Sequence, residues 1–210
     1  MIFETLLVAV AAVWLARSLR HNSVSLLVAA PLAPRPVSPQ LTSMLTYADR
    51  LFAEKKWLGA EKAYLGILKI DHKNLTAYSH LGIIYITQKN FADAIECFQL
   101  AVRFKPSAPT YQNLAMAYYE NKNFVKAIAA FEKSNMFEPS APRYLGLAKA
   151  HKKIHNLPKM VTALEKAAEL DPSPRVLEAL AAGYDDAGRP TDSQATRQRL
   201  SELQAAVKAN

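Results

Sequence analysis

The residues whose types and spacing could do chemistry lie near position 150. His151 and His155 are four residues apart, the spacing at which two side chains on one helix face can bind a metal ion together. Two ligands do not complete a metal site, and no glutamate of a zinc-protease motif lies between them. We therefore interpret both histidines as structural or solvent-exposed. Cys97, the single cysteine, is expected to be a packed thiol without a disulfide partner.

Motifs for the common enzyme chemistries are missing from the chain. It has no P-loop, no dinucleotide-binding glycine pattern and no nucleophile elbow. We therefore predict that the protein is not an enzyme and uses no cofactor or metal. The formal net charge is +8, but the basic residues are scattered and are not gathered with stacking aromatics, so no nucleic-acid binding is predicted.

A repeat of about 33 residues organises the chain from residue 41 onward. The strings KPSAPTYQNLAMAYY at 105–119 and EPSAPRYLGLAKAHK at 138–152 are offset by 33 residues. Such a period indicates a stack of similar helical units. The offset divides the remainder into five segments, which are 41–74, 75–107, 108–140, 141–173 and 174–210. Below, column n denotes the nth residue of each segment.

The columns predict that each segment is a hairpin of two helices. Column 8 is always small, and column 20 is alanine in the first three segments, followed four residues later by a large apolar residue. Apolar spacings of three and four mark amphipathic helices, and small residues let the paired helices approach closely. Proline closes three segments at column 32, where it prevents the second helix from continuing. The small residues of column 8 are Ala48, Gly82, Ala115, Ala148 and Ala181.

These columns resemble the tetratricopeptide repeat, whose pattern places Leu-Gly or Leu-Ala, Tyr, Ala, Phe and Pro at fixed offsets. The resemblance covers essentially all of 41–210 and is strongest in the second and third segments. It implies an all-α fold, a right-handed superhelical solenoid of about five helix hairpins. The last segment is degenerate, because Ser193 and Arg197 replace the alanine and the aromatic residue, and we interpret it as a solvating cap.

The resemblance also implies a concave groove, lined mainly by the first helices, that binds peptide segments of other proteins. The resemblance places the groove at columns 2, 5, 9, 12 and 13, and here the residues at these columns form an apolar strip that grades into lysines. Such a strip fits a ligand with apolar anchors and an acidic end. The family's clamp for a C-terminal carboxylate is disfavoured, because only Asn113 matches it. The candidate groove residues are Phe52, Ser79, Ile83, Ile86, Gln112, Asn113, Met116, Tyr119, Leu145, Lys149 and Lys152.

Two simpler interpretations of these residues stay open. Apolar stripes at helical spacing often belong to the core, so the strip could pack against a neighbouring repeat and bind nothing. The run of lysines at 149, 152 and 153 could equally be a solvated helix face.

The first forty residues differ from the repeats. Thr5 to Ala16 is uncharged and apolar, and prolines at 31, 34, 36 and 39 follow it. We predict that residues 1–22 form a hydrophobic helix that anchors the chain in a membrane and that 23–40 form a proline-rich linker. A cleaved secretory signal and a peripheral or soluble tail are the alternatives. Arg17, Arg20 and Arg35 all follow the apolar stretch, which favours a cytoplasmic repeat array.

Together these features predict a membrane-anchored scaffold or adaptor that binds a partner protein in its groove and supports assembly of a protein complex. The alternatives are an exported or periplasmic assembly factor, a regulatory subunit of an enzyme complex, and an array that self-associates.

Overall fold

The computed structural model describes residues 38–209, and every regular element within them is an α-helix. The predicted helix at 1–22 and nearly all of the predicted linker lie outside the described residues. None of the helices in the described part combines the length and apolarity that a membrane span requires. The ten helices are α1 (Pro39–Ala53), α2 (Trp57–Ile70), α3 (Leu75–Thr87), α4 (Phe91–Phe104), α5 (Ala108–Glu120), α6 (Phe124–Phe137), α7 (Ala141–Lys153), α8 (Leu157–Leu170), α9 (Pro174–Asp186) and α10 (Pro190–Ala209).

Consecutive helices pair into five antiparallel hairpins, which we number repeats 1 to 5. Ring contacts show the pairing directly, because Tyr78 at the start of α3 lies 5.8 Å from Phe104 at the end of α4. Tyr111 and Phe137 make the equivalent contact in repeat 3, with ring centroids 5.6 Å apart. The prediction of an all-α fold built from helix hairpins is confirmed for the described residues.

Capping side chains stabilise the starts of some of these helices, and prolines follow the ends of others. Ser107 forms a capping box with Thr110 at the start of α5, and the Asn74 side chain accepts a hydrogen bond from the Ala77 amide at 3.0 Å. These contacts satisfy backbone amides that have no partner within the helix. The second helices of repeats 2 to 4 end before Pro106, Pro139 and Pro172, as the missing proline amide requires.

Small buried residues lie where the two helices of a hairpin cross. All five residues of column 8 are buried, and Ala60, Ala94 and Ala127 of column 20 have no exposed surface. The large residues four positions later, including Tyr64 and Phe98, are almost completely buried beside them. The small residues that let the two helices approach closely therefore also leave the space in which the large side chains pack densely.

Hydrogen bonds through the tyrosines of column 11 connect repeat 1 to repeat 2, repeat 2 to repeat 3 and repeat 4 to repeat 5. The Tyr85 hydroxyl donates to Glu61 Oε1 at 3.3 Å, and the Tyr184 hydroxyl donates to Glu165 Oε1 at 2.9 Å. Between repeats 2 and 3, Gln99 donates to the Tyr118 hydroxyl at 2.8 Å. Burial raises the pKa of Tyr85 and of Tyr184 to about 12, and the glutamates add to the effect, so both phenols stay protonated donors.

Column 11 of repeat 4 holds His151, which is 4% exposed and whose Nδ1 has no hydrogen-bond partner among the described residues. Burial lowers its pKa, and the charge of Lys159 lowers it further, while Glu132 opposes both. The neutral form is therefore the one that the folded protein accommodates.

The turn inside every hairpin uses a left-handed backbone at column 15. The residues there are Lys55, Lys89, Lys122, His155 and Gly188, with φ between 56° and 67°. The turn sequences KKW, QKNF, NKNF, IHNL and AGRP predict that asparagine or glycine supplies most of the chain reversal, and this prediction is wrong in the first four repeats. The asparagine of repeats 2 to 4 stands one residue later, at the N-cap position of the second helix, and in repeats 3 and 4 its side chain accepts a hydrogen bond from a backbone amide of that helix.

Replacing Lys122 with glycine should raise the free energy of unfolding by about 0.5–1 kcal/mol. A left-handed backbone costs an L-residue about 1–2 kcal/mol, and glycine avoids that cost but loses about 0.5–1 kcal/mol through its flexible unfolded state. Urea denaturation measures the difference. Ala129→Gly, in the middle of α6, is the control and should lose about 1 kcal/mol. Equal losses in the two variants would contradict the strained-turn interpretation.

Acid should destabilise the fold through His151. A histidine whose folded pKa lies below its unfolded value of about 6.5 contributes stability that is complete above that value and is lost as pH falls through the folded pKa. The loss is at most about 1.4 kcal/mol per pH unit. His80, whose pKa burial also lowers, adds to the same trend.

Denaturation at pH 7.5, 6.5 and 5.5 tests this point. His151→Tyr installs the residue found at column 11 of repeats 2, 3 and 5 and should flatten the pH dependence. His155→Asn in the exposed turn should leave it as it is. An unchanged slope in His151→Tyr would exclude His151 as the source.

Candidate peptide-binding groove

Three adjoining cavities lie along the first helices of repeats 3 to 5. We call this surface the groove and define it by the residues of α5, α7 and α9 that line the cavities. Lys149, at column 9 of α7, lines all three. One lysine therefore borders all three cavities.

The first cavity lies between α5 and α7 and has a volume of about 190 Å³. Its apolar lining includes Met116, which is 46% exposed, and Leu145, which is buried. Glu120, Lys149 and Arg175 supply the charged part of its lining. An apolar side chain of a ligand could enter this space while its neighbours meet the charges.

Glycine at position 146 gives this cavity its shape. A Cβ atom at Gly146 would lie 2.6 Å from two ring carbons of Phe131, closer than carbon atoms can approach. Because glycine leaves that space open, the Phe131 ring packs under α7 and lines the cavity beside Leu145. This contact joins α6 of repeat 3 to α7 of repeat 4.

The second cavity, also about 190 Å³, lies between α7 and α9. Its lining is apolar except for Lys149, Lys152 and Asp186. Lys152 Nζ is within hydrogen-bonding distance of Asp186 Oδ2, so an ion pair bridges repeats 4 and 5 at this wall. Both side chains are substantially exposed, and the pair stabilises the fold only weakly.

The third cavity is the largest, at about 530 Å³, and the most basic. Lys149, Lys152, Lys153 and His155 line it together with Tyr119, Leu157 and the carboxylate of Asp186. Three ammonium groups against one carboxylate make this end of the groove a place for anionic groups.

A buried arginine holds the α5 side of the groove in place. Arg143 Nε donates to Gln112 Oε1 at 2.9 Å, and Nη1 donates to the Glu138 carbonyl at 2.6 Å. Its Nη2 also lies 3.3 Å from Glu138 Oε2. This side chain links α7 to α5 and to the loop before α7, so it fixes the position of Gln112 at the cavity wall.

The structure brings six of the eleven candidate residues together. Gln112, Met116, Tyr119, Leu145, Lys149 and Lys152 line the three cavities. Asn113, on α5, is half-buried and lines none of them, and Ser79 is half-buried on α3. Ile83 and Ile86 pack against the core of the later repeats. Phe52 belongs to an aromatic cluster with Trp57, Tyr64 and His80, the last with its ring centroid 4.4 Å away.

Sequence reasoning missed the part of the groove that repeat 5 contributes. Arg175, Ala182 and Asp186 occupy columns 2, 9 and 13 of that repeat, which are groove columns in the repeats before it. Extending the same columns to the last repeat would have found them. The groove columns do not identify Phe131 or Arg143, because Phe131 lies on a second helix and Arg143 lies at column 3.

The residues considered first for chemistry do not form a reactive site in the described part of the chain. His151 is buried in α7, whereas His155 lies in the exposed turn after it, so the two do not share a helix face. No group of three possible metal ligands occurs among the described histidines, cysteines and acids. Cys97 is buried, and its burial, reinforced by Glu96 and Asp93, raises the thiol pKa to about 12.

Two stretches of the chain match family models of the tetratricopeptide repeat, at residues 76–108 and 108–140. These stretches correspond to repeats 2 and 3, and the first match is shifted by one residue toward the C-terminus relative to repeat 2. No curated protein sequence matches the chain.

Solved structures with the same fold include several MamA proteins. One MamA crystal structure has a TM-score of 0.70 at 23% identity and covers 77% of this chain and 90% of its own. MamA from Desulfovibrio magneticus RS-1 has a TM-score of 0.71 at 15% identity, with coverage of 80% and 97%.

A third similar structure is that of the nearly identical repeats of a putative kinesin light chain from Podosopora anserina. Its TM-score is 0.67 at 16% identity, with coverage of 81% of this chain and 98% of its own. At these identities the likeness concerns the fold. Repeat matches, helix hairpins and fold agree, and the chain contains tetratricopeptide repeats at residues 76–140 within a helical array of the same fold.

Proposed function

We propose that this protein is a scaffold that captures a segment of a partner protein in the groove of repeats 3 to 5. The observation that carries the proposal is the continuity of the three cavities, which share Lys149 and combine apolar lining with a basic end. A peptide that crosses them would bury apolar side chains in the first two and place anionic groups in the third.

The charges favour an acidic partner segment. Around the cavities stand Lys149, Lys152, Lys153 and Arg175 against two carboxylates, those of Glu120 and Asp186. Asp186 already engages Lys152. The remaining cations can form charge-assisted hydrogen bonds with ligand carboxylates, which are stronger than neutral ones.

The scaffold would be held at a membrane by residues 1–22, with the repeat array in the cytoplasm. Support for this part of the proposal comes from the sequence: the uncharged stretch from Thr5 to Ala16, the arginines after it, and the prolines before α1. An anchored array presents its groove at a fixed distance from the membrane, which raises the local concentration of captured partners.

Placing two carboxylates in the apolar wall of the groove should weaken peptide binding at least about tenfold. The ligands would be peptides selected by phage display on the full-length protein, with affinities measured by fluorescence polarisation. In Met116→Glu, Tyr119→Glu, two carboxylates replace apolar contacts, and a tenfold loss corresponds to about 1.4 kcal/mol. We expect the selected peptides to combine leucine or aromatic residues with acidic ones, and Lys149→Glu to weaken the acidic peptides most.

Val125→Glu, Met136→Glu is the matched control, because both residues are highly exposed apolar residues outside the groove. It adds the same charge and should bind the selected peptides as the wild type does. Equal affinities of the groove variant and the control variant would contradict the groove as the binding site.

Membrane attachment has its own test. The full-length chain should stay with the membranes after alkaline carbonate extraction, whereas a chain that begins at residue 38 should be released. Added protease should degrade the repeats in inverted vesicles and spare them in sealed right-side-out vesicles. Release of the full-length chain would exclude the anchor, and the opposite protection pattern would favour the exported alternative.

A further inference from the structure

The repeats have an edge at which each second helix ends and the next first helix begins, and we call it the loop edge. Because the hairpins are antiparallel, the last residue of each second helix lies beside the first turn of its partner. The Tyr78–Phe104 and Tyr111–Phe137 ring contacts establish this neighbourhood in repeats 2 and 3. Residues at the ends of the second helices therefore line one side of the array.

Apolar side chains lie at this edge in repeats 1 to 4, and those of repeats 1, 3 and 4 are exposed. Column 30 holds Ile70, Phe104, Phe137 and Leu170, of which Ile70 is 54% exposed, Phe137 55% and Leu170 50%. Beside Phe137 stands Met136, which is 84% exposed, the highest value among the large exposed apolar residues described. A solvated loop edge does not need this row of apolar groups.

Basic side chains surround the row in repeats 1 to 3. Five are exposed there, and Lys133 places its ammonium 5.6 Å from the centre of the Tyr111 ring. Two carboxylates lie among them, Asp71, which accepts hydrogen bonds from Lys73 N and Asn74, and Glu138, which pairs with Arg143, so the cations outnumber the acids. Repeat 4 differs, because Glu169 and Asp171 flank Leu170. The five basic residues are Lys69, Lys73, Arg103, Lys105 and Lys133.

We propose that the loop edge of repeats 1 to 3 rests on the surface of an anionic lipid bilayer. Aromatic and other apolar side chains favour the boundary between headgroups and acyl chains. Each lysine or arginine near an anionic surface adds an attraction that salt screens. The edge offers both in one row, with Met136 and Phe137 as the inserting residues and the basic residues as contacts for lipid phosphates.

Charge alone does not choose between the two edges of the array. The opposite edge, formed by the turns within the hairpins, also carries lysines, at 55, 89 and 122, and the exposed apolar residues Leu58 and Val125. The start of the first helix favours the loop edge, because α1 begins at Pro39 and this end of α1 lies on the loop edge. The uncharged stretch from Thr5 to Ala16 lies upstream of that point, so any attachment through it tethers the array at the loop edge.

An environment-sensitive fluorophore on the full-length protein tests the proposal. In a Cys97→Ala background, Met136→Cys and, separately, Val125→Cys are labelled with NBD and mixed with vesicles of phosphatidylcholine alone or with 30% phosphatidylglycerol. Both positions belong to repeat 3 but lie on opposite edges. Because each label reports its own surroundings, binding through residues 1–22 does not by itself produce a signal at position 136.

We expect the emission at position 136 to shift to the blue and to rise about twofold or more with anionic vesicles, and to return toward the free value in high salt. Position 125 should stay unchanged. Arg103→Glu, Lys105→Glu should reduce the response at 136 by at least about half, whereas Lys89→Glu, Lys122→Glu, the same charge change on the opposite edge, should preserve it.

Three results would overturn the proposal: no response at 136, an equal response at 136 and 125, or an equal loss in the two charge variants. A response of the same size with phosphatidylcholine alone would remove the role of the basic residues. Circular dichroism of each variant verifies the helical fold. The groove variants should not alter the NBD response, so this test succeeds or fails independently of peptide capture.

Discussion

Close contact between a small residue on one helix and a large apolar side chain beside it is the constraint on which this structure depends. Column 8 is small in all five repeats, and the crossing helix supplies alanine at column 20 in the first three. This arrangement lets Tyr64, Phe98 and Phe131 fill the space beside the crossing. Because the same contact recurs every 33 or 34 residues, the hairpins stack in register and equal columns come to lie on equal surfaces.

The groove follows from that register. Stacking brings α5, α7 and α9 side by side, so their outward columns form adjoining cavities whose lining comes from different repeats. The details depend on individual side chains. Gly146 lets the Phe131 ring pass beneath α7, and Arg143 spans two repeats to hold Gln112. The groove is therefore a property of the interface between repeats 3, 4 and 5, and no single repeat contains it.

The array offers two surfaces of different chemistry. The groove joins apolar cavities to a basic end of limited size, which fits a peptide. The loop edge is an extended row of exposed apolar and basic groups, which fits a broad surface. A scaffold that captures a protein segment with one surface and meets a bilayer with the other would hold its partner at the membrane.

The sequence by itself determined the hairpins, their number and the buried columns, because helix periodicity, small residues at crossings and prolines at helix ends are local properties that recur along the chain. It also pointed to Met116, Tyr119, Leu145 and Lys149, since equal columns share a surface.

Only the tertiary structure decided which groove columns are open. Ile83 and Ile86 hold such columns but are partly buried against the core, and Phe52 joins the cluster around His80. Lysine, and not asparagine, takes the left-handed position of three turns. Arg143 and Phe131 act across repeats, through contacts between residues far apart in the chain. Such contacts depend on the space left by neighbouring side chains, and that space exists only once the repeats have stacked.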